Sequence, residues 1–131
     1  MRRREPVDLA RAFLERGRQD ARAAEVLDAA ADQPDWLIGF HAQQAVEKFL
    51  KAVLVLNEVN PGRTHNLDEL LVLLGDIGLA PPPFADRLGR LTVFAVRQRY
   101  PETASDERMP RRQTLDVVAG VEGWCAGIVG E

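Results

Sequence analysis

Residues 34–57 spell a helix with two apolar sides. Ile38, Ala42, Ala45, Val46, Phe49, Leu50, Val53 and Leu56 recur at three- and four-residue spacing and form one wide apolar face. Trp36, Phe40 and Leu54 project from the other side. A helix of this kind has to be covered twice. It is either the central helix of a bundle or a helix shared with a second copy of the chain. Pro34 suits its first turn, where a missing N–H costs nothing.

The rest of the chain supplies helices to do the covering. Turn residues cluster at DQPD (32–35), NPGRTHN (60–66), GLAPPP (78–83) and YPETASDERMP (100–110). Between them the spacing predicts helices over 7–31, 66–74, 83–99 and 110–128. In the first, Leu9, Ala10, Phe13, Leu14, Gly17, Ala21, Ala24 and Leu27 share a stripe, and Arg11, Arg18 and Arg22 lie opposite with Glu15 between them. The third opens on Asn66 with Glu69 three residues on, a capping pair. The last carries Thr114, Val117, Val118, Val121, Trp124, Cys125 and Ile128 on one seam. Its Gly120, Gly123 and Gly127 each cost roughly 1 kcal/mol against alanine, which predicts a second helix backbone lying close to them. No period-2 run suggests a strand. The expectation is an all-α fold, an antiparallel four-to-five-helix bundle, as one domain over residues 1–131 with its core at about 7–128.

Composition narrows the function. At 46% hydrophobic the chain is too apolar for disorder. Its net charge of −3 argues against a bulk polyelectrolyte grip on nucleic acid and leaves room for a local basic patch. A single cysteine excludes an internal disulfide, and two histidines without ligand spacing give no reason to expect a metal or other cofactor. No apolar run has membrane-spanning length, and no signal-type stretch follows the basic start, so the chain reads as cytosolic.

Three groups are candidates for chemistry. In the second helix His41, Gln44, Lys48 and Lys51 share a side, with Gln43 and Glu47 close by; a row of donors can bind phosphate or hold a partner, and can equally be a solvated stripe. In the fourth helix Arg90 and Arg97 are two turns apart, with Arg87 offset, Phe94 between them and Asp86 in reach of Arg90. Arg97, Arg99 and Tyr100 cluster at its end, where cations also satisfy the helix dipole. A guanidinium site for phosphate or RNA beside an aromatic ring is the functional reading. His41 has no Ser, Cys or Asp neighbour in sequence to use it as a base. His65 precedes the Asn66 cap and suits a structural role at the start of that helix. Cys125 sits on an apolar seam as a small hydrophobe. There is no phosphate-binding glycine loop.

The segment FHAQQAVEKFLKAVLVLNEV (40–59) resembles the signature helix of the HEPN family: Gln43, Gln44, Ala45, Glu47, Lys48, Leu50, Lys51 and Ala52 reproduce its pattern. An AAE segment (23–25), HNLDELL (65–71) and RYP (99–101) follow the family's order over about residues 10–125. The resemblance implies a helical bundle that dimerises with a cleft between subunits. It also implies pairing with a minimal nucleotidyltransferase in a prokaryotic toxin–antitoxin-like system. The family's ribonucleases carry Arg, four to six residues, then His at the end of the fourth helix. Counted from Arg97 the position is Glu102, Thr103 or Ala104; from Arg99 it is Ala104, Ser105 or Asp106. None is histidine, and a guanidinium that stays charged cannot shuttle the proton instead.

The sequence therefore predicts a noncatalytic homodimeric subunit. Arg97, Arg99, Tyr100, Lys48 and Gln44 are expected to bind a nucleotide or RNA. Trp36, Phe40, His41 and Leu54 are expected at the dimer or partner interface. The rival readings are a metal-independent ribonuclease toxin using His41 or His65, and a pure protein-interaction module.

Overall fold

The computed structural model describes residues 5–94 and 110–130. These form α1 (Pro6–Ala29), α2 (Asp35–Leu56), α3 (Leu67–Asp76), α4 (Ala85–Leu88) and α5 (Arg111–Val129), with a 3₁₀ turn at Gly89–Leu91 following α4. No strand occurs among the described residues. The chain is an all-α bundle of the expected kind.

The helix α2 is its axle. It packs against α1, α5, α3 and the 3₁₀ turn. Thirteen of its residues are buried, from Ile38 and Gly39 through Val53 and Leu54. The closest approach is to α1, whose buried stripe is Ala10, Leu14, Gly17, Ala21 and Ala24. At its centre Gly17 leaves room for the phenyl ring of Phe49. A Cβ on Gly17 would stand 2.5 Å from Phe49 Cε1. Such density is what makes dispersion and apolar burial effective in a core.

The other flank of α2 is covered by α3 and the segment after α4. Asn66 caps α3 by accepting from the N–H groups of Asp68 (2.9 Å) and Glu69 (3.4 Å). Leu67, Leu70 and Leu74 then turn inward. Phe94 lies across Gly39, where an added Cβ would meet its ring at 2.6 Å. This covering corrects the reading of Leu54. It was expected at an interface with a second copy, but it is 0% exposed inside its own chain. Its position on the helix faces the part of the bundle that α3 and the loop before it fill; the N–H of Val59 returns to its carbonyl at 2.9 Å. Phe40 and Trp36, about four and five turns nearer the start, are half-buried.

Four further expectations need correction. A continuous fourth helix was predicted from residue 83. Instead the path is interrupted: α4 tightens into the 3₁₀ turn at Gly89, where a Cβ would lie 2.8 Å from Asp68 Oδ2 on α3, and α-helix resumes over 92–94; the rest of the expected helix lies outside the described residues. Asp86 and Arg90 form no ion pair among the described residues. In α5, Gly123 and Gly127 have nothing within 4 Å of an added Cβ among the described residues, so no described helix backbone approaches them; Gly120 is crowded by Phe84 and Pro83 instead. Trp124 is only half-buried and Ile128 is 37% exposed, so the true seam is Thr114, Leu115, Val117, Val118, Val121, Cys125 and Val129.

The start of α5 is clasped to the α1–α2 corner by Arg111. Its Nε donates to Asp35 Oδ1 at 2.5 Å, a terminal nitrogen donates to the Gln33 carbonyl at 2.6 Å, and Asp28 lies 3.7 Å away.

Candidate functional site

The polar residues of α2 divide into two networks rather than one row. The first is internal. Gln43, Glu47 and Lys51 are spaced four apart and are all buried. Glu47 Oε2 accepts from Lys51 Nζ at 3.0 Å, and Oε1 is shared by Gln43 Nε2 at 3.1 Å and His65 Nδ1 at 2.9 Å. Gln43 also donates to the His65 carbonyl at 2.9 Å. Every buried side-chain polar atom among the described residues finds a partner. The chemistry here is structural. The carboxylate neutralises a buried ammonium, and the amide and imidazole lock the turn before α3 onto the middle of α2. Lys51 therefore leaves the row of surface donors in which its spacing had placed it.

The second network lies along the outer edge of α2 beside α1: His41, Gln44 and Lys48, each partly exposed. Asp20 reaches this strip from α1. One of its oxygens lies 3.0 Å from His41 Nδ1, and the other holds Lys48 Nζ. Gln44 donates to Gln43 Oε1 at 2.7 Å, which links the outer network to the inner one. Phe40 stands edge-on to His41 with ring centres 5.3 Å apart. This is a carboxylate–imidazole pair beside an ammonium, an arrangement able to hold an anion or take up a proton.

Asp20 is the residue that sequence reasoning missed. It comes from a different helix, 21 residues before His41. No spacing rule connects them. The only signal was an acid at the edge of an apolar stripe, next to Ala21 and one turn from Gly17 and Ala24.

Other candidates fall out differently. Arg97, Arg99 and Tyr100 lie outside the described residues. Arg87 stacks over the ring of Phe84 at 5.6 Å. Cys125 is fully buried on the α5 seam, and loss of water pushes its thiol up to about 12, with Glu122 adding to the rise and Arg18 opposing it. It is no nucleophile at neutral pH. Among the described residues no three of His, Cys, Asp and Glu converge as metal ligands, and no helix is long and apolar enough to cross a membrane.

A bundle wrapped round one helix, with that helix carrying a buried Gln–Glu–Lys key and an outward basic strip, defines a small all-helical domain of distinct type. Residues 10–127 match the family model of the HEPN domain, and the chain belongs to that family. No curated protein and no solved structure matches it.

Proposed function

We propose that this HEPN-family chain is a noncatalytic subunit that forms a homodimer. In this reading it binds a nucleotide or RNA and works with a nucleotidyltransferase partner in a two-component, toxin–antitoxin-like system in the cytoplasm. The observation that carries the reading is the partly exposed polar strip of α2. It presents donors at Gln44 and Lys48 and a half-buried aromatic at Phe40, on a helix otherwise enclosed. The absence of histidine from every position between 102 and 106 supports the noncatalytic part. In this reading Arg97 and Arg99 contact phosphate and Tyr100 stacks or hydrogen-bonds.

The experiment is a titration of the wild type and the Arg97→Ala, Arg99→Ala double variant with nucleotides and RNA at low salt. Low salt is chosen because phosphate contacts weaken as ionic strength rises. Affinity should fall while the helical spectrum is retained; unchanged affinity removes these arginines from the site. Light scattering at tens of micromolar should give twice the mass of the chain, and a strictly monomeric mass contradicts the dimer.

The contact between Asp20 and His41 favours one second reading, a ribonuclease whose imidazole is His41. RNA cleavage in EDTA by pure protein, abolished by His41→Ala, would replace the noncatalytic reading.

A further inference from the structure

The outward network has a feature that the binding reading does not use. Asp20 spends both carboxylate oxygens on its neighbours, one on the imidazole of His41 and one on the ammonium of Lys48. Each of those groups keeps donors or acceptors that Asp20 does not engage. The ring has its second nitrogen, and the ammonium has two more N–H bonds. Asp20 therefore acts as a frame that fixes the two side chains next to each other.

A further cation lies one turn away along α1. Arg16 is one turn before Asp20 on α1, on the same side of that helix, and is exposed. The two helices run antiparallel, with Asp20 between His41 and Lys48, so a step back along α1 is a step toward Lys48 and beyond. Arg16 makes no ion pair with a described residue. Its guanidinium is always charged and suits phosphate oxygens. Lys48 and Arg16 against Asp20 leave the seam with a surplus positive charge, inside a chain whose net charge is −3. A tetrahedral anion with several acceptor oxygens is the group that can satisfy an ammonium, a guanidinium, an imidazole and an amide together.

We propose that Arg16, His41, Gln44 and Lys48, framed by Asp20, form a phosphate site on the outer seam between α1 and α2. The phosphate belongs to a free nucleotide or to an RNA backbone. This rests on the reading that the chain binds one of these, and it adds Arg16, Asp20 and His41 as the groups that do so.

The chain has two histidines, which gives a direct probe. The ring Cε1–H signal of His41 is followed by NMR in the full-length protein. His65, tied to Glu47, serves as the internal reference. The ligands are AMP and a short single-stranded oligoribonucleotide without terminal phosphates. The His41 signal should move and saturate while that of His65 stays. A response to AMP alone assigns a terminal phosphate, and a response to the oligonucleotide assigns the backbone. Lys48→Gln and Arg16→Gln should each weaken binding on the order of tenfold, with the His65 signal showing that the fold is kept. If ligand binds and is lost in the Arg97→Ala, Arg99→Ala variant, while His41 does not move and Lys48→Gln binds as wild type, this site falls and the binding function stands. If neither ligand binds any form of the protein, both fall.

Discussion

At the scale of single residues, the glycines separate structural necessity from mere tolerance. Gly39 lies under the ring of Phe94, where an added Cβ would clash at 2.6 Å, so Gly39→Ala should destabilise the fold by about 1–3 kcal/mol even though alanine is the better helix former. Gly123 and Gly127 face open space. There alanine should stabilise by roughly 0.5–1 kcal/mol each, because only helix propensity changes. Urea melts of the three variants test this. A stabilised Gly39→Ala would mean that Phe94 does not lie against α2, and a loss at Gly123 or Gly127 would mean that another surface presses on α5. Sequence alone ranks these positions alike, since all three are glycines inside a helical pattern. What distinguishes them is which neighbouring element arrives, and that is a long-range fact.

At the scale of the helix, α2 was the most legible element and also the one whose polar half was most easily misread. Its extent and its central place follow from the apolar residues at three-and-four spacing. The roles of its polar residues do not, because Gln43, Glu47 and Lys51 look as hydrophilic as Gln44 and Lys48 until α3 and His65 are in place. Burial makes the difference large. Glu47→Ala should cost about 3–5 kcal/mol, since it strands the ammonium of Lys51 at 8% exposure and frees the His65 turn. Lys51→Met should cost clearly less, because Glu47 keeps Gln43 and His65 as donors and the methylene stem is replaced by a similar apolar one. Chemical denaturation of both variants gives the order, and equal losses would show that the Glu47–Lys51 pair itself, rather than the stranded charge, dominates. By the same logic Leu54, Trp36 and Phe40 share one side of a helical wheel and yet differ: Leu54 is enclosed by its own chain while Trp36 and Phe40 stay half-buried, a difference that spacing does not carry.

At the scale of the whole molecule, the family and the bundle were readable from the order of short motifs: AAE, QQAVEKFLKA and HNLDELL fall on α1, α2 and the entry to α3. The pairing of Asp20 with His41 and Lys48 was not, because it joins two helices across their seam. The central position of α2 has a consequence for how the chain comes apart. The helices α1, α3 and α5 and the 3₁₀ turn all pack on it, so its withdrawal removes the largest share of the core. Amide hydrogens along residues 42–53 should therefore exchange with solvent only through complete unfolding, at one common free energy, while those of α4 exchange earlier. Faster exchange in the middle of α2 than in α5 would refute this. The rim can fray, but a mutation, a protease or a partner cannot loosen the centre alone: whatever pulls the shaft dissolves the wheel.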